Sequence, residues 1–283
     1  MVKAIKKYWP VFMLPTLVAF IIGFLVPFGE GVYLSFCRFT TVKDAAWAGI
    51  DNYVKIWADS TFTHAFGFTA VFTVVTTFLI NVLAFSVALL LTRGIRGTNY
   101  FRSVFFMPNL IGGIVLGYIW QILLNALLML LEKPLLVLDA TYGFWGLVAL
   151  MCWQQIGYMM IIYIAGLQNV PLELLEAAKI DGATSWKTLW KIKIPMVMPS
   201  ITICTFLSVT NSFKLFDQNL SLTGGEPAHA SEMLALNIYN TFYARAGAQW
   251  KGFGQAKAML FFLLVVVIAL IQLRITRSKE VES

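Results

Sequence analysis

Two groups of residues in this chain have types and spacing that could do chemistry. The first is polar but uncharged. Gln154, Gln155 and Tyr158 stand beside Trp153 in one strongly apolar stretch, and Asn211 and Ser212 stand beside Phe213 and Phe216 in another. An amide in hydrocarbon costs several kcal/mol unless it finds a partner. Two readings are open: the groups bridge neighbouring helices at modest energy, or they line a wet cavity. In a cavity, amides and hydroxyls read a pattern of hydroxyls while flat aromatic faces take apolar ring faces. That combination suits a neutral, hydroxyl-rich solute. The second group is the segment EAAKIDGATSWKTLWKIKIP, residues 176–195, which carries six charges between nearly uncharged flanks.

Catalytic chemistry finds no support. The sequence holds no metal-ligand spacing, no nucleophile–base pair and no Gly-rich phosphate loop. LTGGEP at 222–227 lacks the lysine and spacing of a phosphate loop. Cys37, Cys152 and Cys204 are scattered, without the pattern of a disulfide framework or a metal site. His64 and His229 fall outside the apolar runs and read as solvated loop residues. The central parts of the first four apolar runs contain no ionisable residue, so nothing resembles a proton- or sodium-driven engine. Lys214 and Asp217, three residues apart, read as a pair on one helical face at the outer end of the fifth run, either a gate or an ordinary ion pair.

The elements that must position these groups follow from composition. Only 12% of the 283 residues are charged, 59% are hydrophobic, and mean hydropathy is +0.77. A soluble domain has about 25% charged residues, so this chain could not cover a globule with polar surface. Residues 8–29, 66–91, 104–131, 143–167 and 196–213 contain no Asp, Glu, Lys or Arg. A bilayer core needs about 20 apolar helical residues. The expectation is one transmembrane domain, 1–283, with six membrane-spanning helices at 8–29, 66–91, 104–131, 143–167, 196–216 and 254–273. The first run is too long for a signal peptide and has no cleavage site, so it reads as a retained span with Pro27 near its exit.

Lys and Arg cluster in the short loops on one side: Lys3, Lys6 and Lys7; Arg93, Arg96 and Arg102; Lys179, Lys187, Lys191 and Lys193; and Arg274, Arg277 and Lys279. Such loops stay cytoplasmic. Both termini and the 169–195 loop are therefore expected in the cytoplasm, and the net charge of +7 reflects these loops, not nucleic acid.

Within that loop, Pro171 suits a first helical position, and Glu173 and Glu176 suit the positive end of the helix dipole. Gly182 suits a helix stop. A second helix from Thr184 or Ser185 puts Trp186, Leu189, Trp190 and Lys193 on one side, at lipid headgroup level. Pro195 then opens the fifth span. An interfacial spacer explains the Trp/Lys half. The small, alanine-lined EAAKIDGA surface suits a partner's groove.

Glu176-Ala177-Ala178, Gly182 and Ile192–Pro195 resemble the EAA loop of ABC-importer permeases, with Ile194 where the family usually has Leu. RGTNYFRSVFFMPNLIGGIVLGYIW (96–120) and NSFKLFDQNLSLTGGEP (211–227) are similar to carbohydrate-class permeases of the maltose and glycerol-phosphate type. So are IYNTFY and FGQAKAM further on. Glu226 replaces a glycine of the family's usual TGGGP. The resemblance implies an all-α transmembrane fold with a cytoplasmic coupling helix between spans 4 and 5, residues 172–181. It implies that Glu176, Ala177, Ala178, Asp181 and Gly182 meet a cytoplasmic ATPase. In the family's ligand-binding subunits, sugar contacts fall at the equivalents of Gln154, Gln155, Tyr158, Asn211, Ser212 and Leu215. It further implies a homologous second permease, two ATPase subunits that bind the ATP, an extracellular sugar-binding protein, surrounding membrane lipid, and no cofactor or metal of this chain's own. The expected function is the permease subunit of a neutral-sugar importer in the cell membrane. A permease for a charged solute such as a glycerophosphodiester, a non-transporting membrane scaffold and a membrane enzyme are the rivals.

Overall fold

In an apolar chain every backbone N–H and C=O must find its partner within the segment, so helix dominates. The computed structural model describes residues 2–277; Lys279 lies outside them. Helix α1 (Val2–Phe20) runs through a π-helical turn (Ile21–Leu25) into α2 (Val26–Ser35). A short antiparallel hairpin follows, β1 (Cys37–Arg38) with β2 (Ala46–Trp47), Cys37 opposite Trp47. Then come α3 (Asp51–Ala58), α4 (Ser60–Leu91), α5 (Thr98–Phe106), α6 (Gly113–Leu130), α7 (Ala140–Gln168) and α8 (Leu172–Ile180). Next, α9 (Ser185–Thr188) passes through a second π turn (Leu189–Lys193) into α10 (Ile194–Met196). The chain ends with α11 (Met198–Phe213), α12 (Asp217–Leu222), α13 (Leu234–Tyr239) and α14 (Ala248–Arg277).

Among the described residues, five helices are long and apolar enough to cross a membrane: Met13–Ser35, Ser60–Leu91, Gly113–Leu130, Ala140–Gln168 and Ala248–Gln272. A sixth span forms if Ser185–Met196 and Met198–Phe213, bent by 71°, count as one. The prolines act differently from expectation. Pro195 lies inside the helix before the bend, and the fifth span opens at Met198 with Pro199 in its first turn. Proline removes a donor and crowds the carbonyl four residues back. The π turn ending at Lys193 widens the helix just ahead of it, with Ile194 N–H reaching Leu189 O. The same device precedes Pro27, where Val26 N–H reaches Ile21 O and the helix continues to Ser35 instead of ending near the proline. The third run, expected at 104–131, is interrupted. A 3₁₀ turn over Met107–Leu110 carries Pro108, Gly112 is extended, and the spanning helix begins only at Gly113.

The chain divides into two compact units. One comprises the chain up to Ser60 and Ile238–Leu263. Here Asn52 Nδ2 donates to the carbonyls of Ser35 (3.0 Å) and Cys37 (2.9 Å), tying α3 to the hairpin. Lys55 and Arg38 hold the Asp51 carboxyl below the usual carboxylate range. Lys257 is fully buried, its Nζ 2.7 Å from Asp59 Oδ2 and 2.9 Å from Thr241 Oγ1. A buried cation is tolerated only when so partnered.

The other unit comprises Thr61–Asn237 and the described chain from Leu264 on. Its core runs along α4 and α7, with Phe72, Ile80, Leu147, Met151, Met159 and Tyr163 all buried. Small residues let backbones approach closely. A Cβ on Gly157 of α7 would sit 1.8 Å from Phe105 O, and one on Gly117 of α6 would sit 1.8 Å from Ser221 Oγ of α12.

Candidate functional site

The break in the third run leaves the Ile111 carbonyl without a helical partner, and Gln154 of α7 answers it. Gln154 Nε2 donates to Ile111 O at 3.3 Å while its Oε1 accepts from Gln218 Nε2 at 2.7 Å. Buried and bonded at both ends, Gln154 joins α7 to the α6 entrance and to α12. Ser212 is likewise fully buried and accepts from Thr76 Oγ1 at 2.9 Å. Two more bonds extend this seam: Asn81 Nδ2 donates to Ser208 Oγ (3.2 Å), and Tyr163 Oη donates to Asn81 Oδ1. Tyr158 is half-buried with its ring beside Phe106.

Three of the six expected contacts do converge. Gln155, Asn211 and Leu215 line a cavity of about 310 Å³ together with Met151, Phe216 and Gln218. Asn211 Nδ2 stands 3.5 Å from Gln155 Oε1. Gln154, Tyr158 and Ser212 do not line it; the side chains of Gln154 and Ser212 bond across helices, and the Tyr158 ring lies beside Phe106. Lys214 and Asp217 complete the cavity wall. They are not paired on one helix, because α11 ends at Phe213 and Asp217 starts α12; no ion pair joins them. Sequence reasoning did not single out Gln218, which lines the same cavity. Its signal was an amide seven residues after Asn211, concealed by the unforeseen chain turn at Lys214.

His229 is exposed in a turn, as expected, whereas His64 differs from expectation in lying on a helix. His64 lies on α4, exposed, with Nε2 3.0 Å from Ala230 O. His229 Nδ1 lies 3.3 Å from Glu232 Oε1. Cys37, Cys152 and Cys204 are buried free thiols. Among the described residues, no cluster of His, Cys, Asp and Glu could hold a metal ion.

The elbow is built from backbone. Pro171 caps α8 from just outside instead of opening it. At the other end Gly182 has φ +69°, Ala183 N donates to Ala178 O (2.9 Å) and Gly182 N to Lys179 O (3.2 Å). This pattern closes a helix through a left-handed residue. A Cβ on Gly182 would meet nothing within 4 Å, so φ alone demands glycine. Thr184 Oγ1 then accepts from Lys187 N (3.3 Å) to start the next helix. Glu176, Ala177, Asp181 and Gly182 are exposed, whereas Ala178 is buried against its own chain. Leu172, Leu174 and Ile180 project outward instead, Ile180 at 85% exposure. Trp186 and Trp190 are exposed too, their ring centroids 5.6 Å apart.

These features define a multi-pass membrane component of a transport system. Residues 81–281 match the family described as binding-protein-dependent transport system inner membrane component, and the chain belongs to that family. It is therefore a permease part of an importer and not an enzyme. It is 41% identical to the probable starch degradation products transport system permease protein AmyD of Thermoanaerobacterium thermosulfurigenes, covering 97% of this chain and 95% of that one. It is 29% identical to the multiple sugar-binding transport system permease protein MsmF of Streptococcus mutans, with 99% of each covered. Its fold matches a crystal structure of a bacterial ABC transporter involved in import of the acidic polysaccharide alginate. The TM-score is 0.82 at 18% identity, with 98% of each chain covered. A second match, at TM-score 0.81, is that transporter in complex with an alginate pentasaccharide-bound periplasmic protein. It too is 18% identical and covers 98% of this chain and 97% of that one.

Proposed function

We propose that this chain is one of two homologous permease subunits of an ATP-driven importer for a neutral sugar or oligosaccharide. The observation that carries the reading is the cavity that gathers Gln155, Asn211 and Gln218 beside Phe216. Amides around an aromatic face are the chemistry of hydroxyl recognition, in a chain 41% identical to a permease named for starch degradation products. Lys214 and Asp217 add one charge of each sign and leave no surplus. A phosphorylated or otherwise anionic solute would need a surplus of cations there.

In this reading the 169–195 loop and both termini face the cytoplasm. Two ATPase subunits hold the ATP and receive α8 in a groove. A binding protein outside delivers the solute to the loops between residues 217 and 256. Closure of the ATPases moves the elbows together and opens the cavity outward; hydrolysis returns it inward. Gln155 and Asn211 orient the sugar by hydrogen bonds, and Gly182 keeps α8 at a fixed angle to the next helix.

The test is ATPase activity of the complex reconstituted with its partner subunits, with and without the binding protein and a panel of neutral oligosaccharides. Stimulation by one neutral sugar class, lost in Gly182→Pro, is expected. Stimulation by charged solutes alone would overturn the substrate reading.

A further inference from the structure

A second cavity, of about 440 Å³, opens where the last turn of α4, the end of α8 and the Ser185–Met196 helix meet. Its wall carries three cations, Arg93, Lys179 and Lys193, and two hydroxyls, Ser185 and Thr188, with Leu89 on the apolar side. Among the described residues, no acidic side chain lines it and none of the three cations forms an ion pair. Like charges gathered around one space repel unless an anion shares it. Charged donors and hydroxyls turned to one space suit the oxygens of a phosphate.

Depth selects the source of that phosphate. The apolar helix α4 ends at Leu91, two residues before Arg93. Trp186 and Trp190 project from the same helix that bears Ser185 and Lys193, at 67% and 53% exposure. Exposed tryptophans beside the end of an apolar span belong at headgroup level. Basic pockets between spanning helices at that level take anionic headgroups. We infer that this cavity binds the phosphate headgroup of an anionic phospholipid and thereby ties the elbow to the end of α4. The three cations sit on three different elements, so a single headgroup bridges the turn on both sides of Gly182. The inference needs only that the chain crosses a membrane; it does not depend on the identity of the transported solute.

The experiment is native mass spectrometry of the purified complex titrated with dioleoylphosphatidylglycerol or dioleoylphosphatidylcholine, with inorganic phosphate and glycerol 1-phosphate as soluble competitors. Retention of phosphatidylglycerol over phosphatidylcholine is expected. It should fall by about fivefold for each cation neutralised, through Arg93→Gln, Lys179→Gln and Lys193→Gln. Lys187→Gln with Lys191→Gln, which removes two exposed cations outside the cavity, should leave retention unchanged. In the unmodified complex, a photoactivatable phosphatidylglycerol should crosslink within residues 179–193, which keeps the test independent of variant folding. Displacement by millimolar phosphate would support the cavity's phosphate chemistry and assign it to a soluble source. Equal lipid retention in the triple variant, or loss of ATPase-subunit association without loss of lipid, would overturn the proposal. The second result would make the cations a docking point for an acidic protein surface.

Discussion

The elbow and the amide cluster are two polar regions of the same compact unit, and they are built in opposite ways. The elbow is held by backbone bonds: a left-handed glycine, two capping bonds to Ala178 and Lys179, and a threonine cap. Its side chains are left facing out, apolar Leu172, Leu174 and Ile180 among them. The amide cluster turns inward, and most of its polar groups bond one another across α4, α7, α11 and α12. Gln155, Asn211 and Gln218 keep amides at the cavity of about 310 Å³. Exposed apolar groups on a rigid frame are suited to a partner; satisfied polar groups in a packed seam set helix register, and the few left at a cavity are suited to a solute.

Substitutions should separate these roles. The largest effect is expected at Gly157, where α7 packs directly on the Phe105 carbonyl. Gly157→Leu should yield no monodisperse complex by size-exclusion chromatography, because backbone cannot give way as a side chain can. Gly182→Ala in the elbow meets no atom within 4 Å and should cost only the left-handed penalty, about 1–2 kcal/mol, seen as a small drop in the unfolding midpoint. If the two glycines prove equally sensitive, the contrast between a packed seam and an open frame is mistaken.

Next comes Ile180→Asp, a charge on the most exposed apolar residue of α8. The ATPase subunits should no longer co-purify, while the permease's thermal unfolding stays unchanged. Retained association would move the contact to the exposed Glu176 and Ala177. A smaller effect is expected inside the cavity. Gln155→Leu and Asn211→Leu should each lower sugar-stimulated ATPase activity by up to about tenfold, the worth of one neutral hydrogen bond. Unfolding should barely shift. Transport unaffected by both would return these amides to the role of helix bridges and favour a scaffold.

Ser212→Ala should behave in reverse and most mildly. Losing the bond from Thr76 should cost about 1 kcal/mol of stability and leave the transport rate alone. A transport defect larger than that of Gln155→Leu would place Ser212 at the solute.

The sequence pattern already indicated the spanning helices, because a bilayer demands long uncharged runs and the chain has them. It also indicated the elbow's turn: only glycine takes φ +69° without strain, and Gly182 stands at the end of a capped helical pattern. The sorting of the amides was not legible. Gln154 and Gln155 are neighbours with identical chemistry, yet one is bonded to Ile111 and Gln218 and the other faces the cavity. Adjacent residues on a helix point about 100° apart, so the choice depends on where α6 breaks and where α12 lands. Ala178 is a similar case: its type fits a partner's groove, but its face turns toward its own chain.

Sequence by itself thus determined the membrane class, the resemblance to importer permeases and the position of the elbow's turn. These rest on composition, short motifs and local backbone preference, which act within a few residues. Tertiary structure alone decided which polar groups are satisfied, that Lys214 and Asp217 are not a pair, that Lys257 is buried against Asp59, and that Arg93, Lys179 and Lys193 share one cavity. Each depends on residues far apart in the chain, or on a helix break whose consequence appears only once its neighbours pack against it.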